Sequence, residues 1–212
     1  GQAGWGTAIY LTLYMTIIPF FIGGILGFIA GLLLVLTGPR GILENRLVFF
    51  VLDKVTSIFR AIPFIILLAL INPFTRIIVG TGIGPTAALV PLSLAVFPFF
   101  ARQVQVVLSE LDRGVIEAAQ ASGATFWDIV GVYLREGLPD LIRVTTVTLI
   151  SLVGETAMAG AIGAGGLGNV ALTYGYQRFN HDVTILATIL ILLLIFFIQF
   201  IGDFLTRKIS HR

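Results

Sequence analysis

The chain has 212 residues, of which 57% are hydrophobic and 11% are charged, with a mean hydropathy of +1.02. A soluble domain usually carries about 25% charged residues, so this composition excludes an ordinary water-soluble fold. The absence of cysteine excludes disulfides and thiolate metal sites, and two histidines, His181 and His211, are too few for a metal cluster. The composition therefore predicts an integral membrane protein without a metal site.

Five apolar segments are candidates for membrane-spanning helices, since a helix needs about 20 apolar residues to cross the hydrocarbon core. In chain order we predict spans at about 11–36, 50–71, 84–105, 141–162 and 183–204. The second is strongly apolar only over 61–71, so its helix has to begin earlier and include Arg60. Pro63 lies within it and predicts a fixed kink. We expect one all-α domain over 8–207, with a cytoplasmic loop at about 106–140.

The distribution of lysine and arginine predicts the orientation of the chain. With the N-terminus outside and the C-terminus in the cytoplasm, only Arg76 and Arg178 lie in outer segments. The inner segments then hold ten basic residues: Arg40, Arg46, Lys54, Arg102, Arg113, Arg135, Arg143, Arg207, Lys208 and Arg212. Cytoplasmic segments are enriched in such residues, which favours this orientation over its reverse.

The segment 102–143 is the longest polar connection and contains ten of the 24 charged residues. The apolar residues Phe126, Ile129, Val130, Tyr133 and Leu134 follow helical spacing and predict one buried helix face. Small residues at 117–124 precede this helix, and a glycine there can turn the chain or allow close backbone approach. Two interpretations stay open: a solvated loop, or a ridge that docks into a groove of a partner protein.

The same small residues resemble the EAA loop of ABC-importer permeases, in which a coupling helix docks onto an ATPase subunit. The resemblance assigns ATPase coupling to six residues: Glu117, Ala118, Ala119, Ser122, Gly123 and Ala124. The family's Leu-Pro pair would fall on Arg135-Glu136, whereas this chain has Leu138-Pro139 three residues later. This departure leaves the start of the following helix open.

A glycine-rich run at 163–168 satisfies the pattern G-x-G-x-x-G. A dinucleotide site needs a preceding strand and an acidic residue about 20 positions later, but here a membrane helix precedes and Asp182 comes too early. We expect instead a hinge or a tight re-entry at the outer end of the fourth span. The longer runs 153–168 and 174–179, with 58–64 and 73–80, resemble methionine-importer permeases, although permeases for quaternary ammonium compounds have a similar glycine run.

Three residues in or near the spans are candidates for the pore or its gate: Arg60, Glu155 and Met158. An ionisable side chain inside a span needs a partner or a water-filled cavity, so Glu155 is expected to pair with Arg60 or to line the path. Met158 has small neighbours and could close a narrow pore on a two-fold axis, or simply pack. A second set, Gly23, Gly27 and Gly31, lies on one helix face and predicts close helix packing.

The resemblance implies a type I ABC-importer-like permease in a bacterial inner membrane, surrounded by lipid. Its expected partners are a second copy of the chain, two cytoplasmic ABC ATPases and an external binding protein, with no nucleic acid. The chain contains no Walker sequence, so we expect no catalytic residues here, and ATP and Mg²⁺ on the partner ATPase. The alternative from another class is an ion-coupled secondary transporter with Glu155 and Arg60 in a relay, against which the lack of an evident inverted repeat argues.

Overall fold

The computed structural model describes residues 2–210, and this part of the chain is built from helices. The α-helices are α1 (Gln2–Thr37), α2 (Arg46–Ala61), α3 (Phe64–Leu70), α4 (Asn72–Val79), α5 (Pro85–Ser109), α6 (Arg113–Ala121), α7 (Phe126–Ala159), α8 (Leu167–Asn169) and α9 (His181–Ser210). Two π-helical segments, Gly160–Ala164 and Val170–Tyr176, flank α8. His211 and Arg212, which the sequence analysis used, lie outside the described residues.

Four of these helical stretches are long and apolar enough to cross a membrane: Gly4–Thr37, Pro85–Ser109, Phe126–Ala164 and His181–Ile209. They contain the predicted spans 11–36, 141–162 and 183–204, and all but the first residue of the predicted span 84–105. The all-helical membrane fold is therefore confirmed. The prediction of one continuous helix over the remaining span, 50–71, is wrong.

The second predicted span is divided between α2 and α3 because Ile62 and Pro63 have extended backbone conformations. A residue that precedes proline is pushed out of the helical region by the proline ring, and proline itself has no N–H to donate. Pro63 thus ends one helix and caps the next, where a kink inside a helix was expected. Asn72 and Pro73 then open α4, which ends at Gly80 with φ +92°.

Helices α1 and α5 lie in close contact along a glycine seam, formed by Gly23, Gly27 and Gly31 of α1. A Cβ atom added at these three positions would lie 2.5 Å from the Ser93 carbonyl oxygen, 2.7 Å from that of Phe97 and 2.6 Å from that of Ala101. No residue larger than glycine fits such distances without moving the backbones apart. The predicted close packing of this glycine face is confirmed.

Helix α7 begins inside the predicted coupling loop and continues without a break through the predicted span 141–162 as far as Ala159. Thr125 caps α7 in a reciprocal capping box with Asp128, and the helix then continues through Pro139 to Ala159. The Leu138-Pro139 pair therefore lies inside a helix and does not mark the start of one. A single element joins the polar end of the molecule to the apolar residues of the span.

The buried core is continuous from the spans into the polar end. Met15, Leu92, Val96 and Leu152 are buried where α1, α5 and α7 meet. The same cluster extends to the polar end through Leu108, Ile116, Ile129, Val130 and Tyr133. The segment 113–134 is thus packed on the membrane helices and is not a loose loop.

Replacement of Gly27 by alanine is expected to destabilise the protein by about 1–3 kcal/mol, the usual cost of overpacking a tight contact. The new methyl group would meet the Phe97 carbonyl oxygen at 2.7 Å. Thermal unfolding in detergent measures this effect. Gly24→Ala is the matched control, since its Cβ would meet only the Phe20 ring at 3.9 Å; an equal loss in both variants would contradict the seam.

Candidate functional site

The coupling segment, residues 117–124, comprises the second half of α6 and the turn that follows. Asp112 caps α6 by accepting a hydrogen bond from the Gly114 N–H at 2.8 Å. Ile116 faces inward and belongs to the buried cluster that contains Val130 and Tyr133. Because α6 is anchored on this side, its opposite side is presented outward.

The structure brings the six predicted coupling residues together at one exposed end of the molecule. Glu117, Ala118, Ser122 and Gly123 are exposed, and Ala119 and Ala124 are half-buried. A cleft of about 550 Å³ adjoins them, with walls formed by the coupling segment and the first turns of α7. The arrangement offers a partner protein a low ridge of small side chains beside an open cleft.

Gly123 ends this ridge in the left-handed conformation, with φ +81°. The Gly123 N–H donates to the Gln120 carbonyl and the Ala124 N–H to the Ala119 carbonyl, each at 3.1 Å, which closes the last turn of α6. A Cβ at Gly123 would meet nothing within 4 Å. Of the two roles that the sequence left open for this glycine, the structure shows the turn, and no other part of the described chain approaches Gly123 closely.

Two contacts fix the surroundings of the coupling segment. Arg113 of α6 donates from Nη2 to the Pro39 carbonyl at 3.0 Å, which ties α6 to the loop after α1. The Thr125 N–H donates to the Asp128 carboxylate at 2.9 Å. This backbone hydrogen bond, together with the Thr125 side chain, lowers the pKa of Asp128, which precedes the predicted span 141–162. The turn between α6 and α7 is therefore held at both ends.

Trp127 is a residue of this region that the sequence analysis did not identify. Its side chain is 77% exposed, and its ring meets the Phe126 ring edge-on with centroids 5.0 Å apart. Trp127 also lines the cleft beside the coupling segment. The sequence did contain one indication that Trp127 is exposed. It lies between the apolar residues Phe126 and Val130 of the predicted helix face but is not itself on that face.

Two of the three pore candidates, Arg60 and Glu155, do not form an ion pair with each other in this chain. Arg60 is exposed in the last turn of α2, Glu155 is half-buried on α7, and no ion pair joins them. The cation that does join α2 to a span is Arg102 of α5, whose Nη1 lies 2.8 Å from the Asp53 carboxylate. Arg102 also donates to the Ser57 hydroxyl at 2.8 Å.

Met158 lies on α7 with 45% of its surface exposed. A mostly apolar side chain with this exposed fraction is not packed in the core of a single copy of the chain. Its exposure, together with that of Arg60, leaves both residues available to a second protein surface, to lipid or to a water-filled path.

The glycine-rich run, for which the sequence predicts a hinge or a tight re-entry, forms a tight turn. Gly163, Gly165 and Gly166 have positive φ values between 87° and 102°. The Leu167 N–H then donates to the Thr12 hydroxyl of α1 at 2.8 Å in a buried position. The run follows a helix and not a strand, so the context of a dinucleotide site is missing.

These features define a membrane protein with several long apolar helices and an exposed ridge of small residues at one end. Residues 23–211 match the family model for the binding-protein-dependent transport system inner membrane component. The chain belongs to this family, and it is an inner-membrane component of a transport system.

Relatives that match over almost their whole length share about half of the sequence. The probable D-methionine transport system permease protein MetI of Haemophilus influenzae is 47% identical, with 98% of this chain and 100% of the relative covered. The methionine import system permease protein MetP of Bacillus subtilis is 50% identical, with 97% and 93% covered. A solved structure of inward-facing conformations of the MetNI methionine ABC transporter aligns with a TM-score of 0.95 at 44% identity, covering 98% of this chain and 97% of that one.

Replacement of Gly123 by alanine is expected to destabilise the end of α6 by about 1–2 kcal/mol, because a Cβ is unfavourable in the left-handed region. The measurement is hydrogen–deuterium exchange of the Gly123 and Ala124 amides, which should become faster.

Gly131→Ala serves as the control, since Gly131 lies in α7 with nothing within 4 Å of its Cβ position. Alanine favours a helix over glycine by about 1 kcal/mol, so this variant should exchange at the same rate or more slowly. Unchanged protection in Gly123→Ala would show that the positive φ is not required.

Proposed function

We propose that this chain is the permease subunit of an ATP-driven importer that moves methionine into a bacterial cytoplasm. The observation that carries the importer class is the anchored and exposed coupling segment beside an open cleft. Methionine is supported by the names of the relatives, which match over almost the full length of this chain. The protein carries no catalytic step itself; ATP and Mg²⁺ belong to a separate ATPase.

In this proposal the chain crosses the membrane five times, and the second crossing consists of α2 and α3 together. Their lengths are about 24 and 10 Å at 1.5 Å per residue. With the extended link at Ile62 and Pro63 they reach the roughly 30 Å of the hydrocarbon core. The N-terminus is outside and the C-terminus in the cytoplasm, which places Arg40, Arg46 and Lys54 on the cytoplasmic side.

The working unit in this proposal is a dimer of the permease with two ATPase subunits and an external binding protein. Each coupling segment docks onto one ATPase, with Glu117 facing a basic residue of that subunit. ATP-driven closure of the ATPase pair draws the two segments together, and the permease changes from inward-facing to outward-facing. Such alternation needs two states whose populations the partner shifts.

Arg60, Glu155 and Met158 are proposed to face the path between the two permease copies. In support, Arg60 and Met158 are exposed in the single chain. Arg60 and Glu155 carry charges of opposite sign, as the carboxylate and ammonium groups of an amino acid require. Ionisable residues inside a span commonly mark such a path. Met158 on both copies would narrow it near the two-fold axis.

The test is uptake of labelled methionine by vesicles that contain the permease, its ATPase and its binding protein. Uptake should require ATP and should persist when ionophores abolish ion gradients. Ala118→Trp should reduce uptake at least tenfold, because Ala118 is exposed on the docking ridge and a bulky ring there blocks close approach.

The matched control is Leu205→Trp, which adds the same ring at an exposed position of α9, away from the coupling segment. It should transport normally. Uptake driven by an ion gradient without ATP would instead establish a secondary transporter. Preferential uptake of a quaternary ammonium compound would leave the importer class in place and replace the substrate.

A further inference from the structure

We infer that the Trp127 indole is an anchor that inserts into an apolar pocket of the ATPase subunit, next to the coupling segment. The inference rests on the proposed function and adds a contact that the small residues of α6 cannot supply. It follows from the exposure of Trp127, its distance from the predicted span, the ordered helix turn that carries it and its place in the cleft.

The first observation is that 77% of the Trp127 side chain is exposed. The apolar face of this helix is occupied by Ile129, Val130 and Tyr133, which are buried. Trp127 points away from that face, so no surface of this chain covers it. A large aromatic side chain left outward is typical of an interface, where tryptophan is among the residues that contribute most to binding.

The second observation separates a protein partner from lipid. Tryptophan also collects at the membrane–water interface, so the depth of Trp127 decides between the two. Trp127 lies 14 residues before Leu141 on one continuous helix, which is about 21 Å at 1.5 Å per residue. The headgroup layer beyond the hydrocarbon core is only about 5–8 Å thick.

The residues between Trp127 and the predicted span support this distance between Trp127 and the membrane. Arg135, Glu136 and Asp140 are exposed on the intervening turns, and Asp140 pairs with Arg143 at 3.4 Å. Exposed charges over these turns require water. Trp127 lies farther out than all of them, so its ring is beyond the reach of lipid and is available to a soluble protein.

The third observation is that the helix turn that carries the ring is ordered in the single chain, and the ring already has an aromatic neighbour there. Phe126 contacts it edge-on at 5.0 Å between centroids, and the capping box of Thr125 fixes the first turn of the helix. The backbone that carries the indole therefore needs no reordering on binding, and such preorganisation favours affinity.

The last observation identifies the occupant. Trp127 shares one cleft with Ala119, Ser122 and Gly123 of the coupling segment, so the protein that covers the segment also covers the indole. Arg135 lies at the edge of the same cleft and is exposed. The matching surface on the ATPase is an apolar pocket with a carboxylate beside it.

The experiment measures binding of the purified ATPase to the permease in lipid nanodiscs. Trp127→Ala should raise the dissociation constant at least tenfold, about 1.4 kcal/mol, with a smaller rise for Trp127→Phe. Trp5→Ala, which removes the other tryptophan of the chain, should stay within twofold of wild type. The melting temperature of Trp127→Ala should equal that of wild type, because an exposed ring contributes little to folding.

Binding of Trp127→Ala within twofold of wild type would overturn the inference while ATP-driven methionine uptake by the wild type still stood. A large loss of melting temperature would show a structural role and overturn it too, as would loss of the permease dimer in Trp127→Ala. If the wild-type permease bound no ATPase, that result would instead contradict the proposed function itself.

A spectroscopic measurement distinguishes contact of Trp127 with the ATPase from contact of Trp127 with lipid. The emission of Trp127 is obtained as the difference between Trp5→Phe and the double variant Trp5→Phe, Trp127→Phe, which cancels tryptophans of the ATPase. Docking should shift this emission to shorter wavelength. A shift caused by anionic lipid and not by the ATPase would overturn the inference.

Discussion

The contact on which the rest of the fold depends is the glycine seam between α1 and α5. Three carbonyl oxygens of α5 occupy the space where side chains of α1 would otherwise lie. In a bilayer, apolar side chains gain little from leaving lipid, so helices associate mainly through such close packing. The seam brings together the residues that bury Met15 and Leu92, and α7 packs on the pair. The polar end of the molecule is then built on the end of α5 at Ser109 and the start of α7 at Phe126.

Much of this architecture is visible in the sequence, for physical reasons. Long charge-free stretches have few alternatives to spanning helices, and glycine at every fourth position predicts close packing directly. The turn at the end of α6 was likewise predictable, because a glycine after a run of small helix-forming residues commonly ends a helix. The left-handed conformation of Gly123 is set by the end of α6 and needs no information from distant parts of the chain.

Other features depend on contacts that no local pattern contains. Pro63 could either kink a helix or divide it into two. The extended conformation of Ile62 divides the helix into α2 and α3. Pro139 is the opposite case, a proline that a long helix accommodates. The partner of Arg102 is Asp53, 49 positions away, and the expected partner of Glu155 is not bonded to it. Trp127 lies off the apolar face that the sequence predicts, but this pattern does not state whether another part of the folded chain covers the opposite face.

The continuity of α7 has a consequence for how sequences of this kind can vary in length. Trp127 and Met158 lie on one helix, so their relative angle is set by the number of residues between them. One inserted residue between Arg135 and Arg143 would rotate everything beyond it by about 100° and shift it by 1.5 Å. Such an insertion would therefore change which side chains α7 presents to its neighbours on one side of the stretch relative to the other. The number of residues in this stretch thus sets how the two ends of α7 are oriented relative to each other.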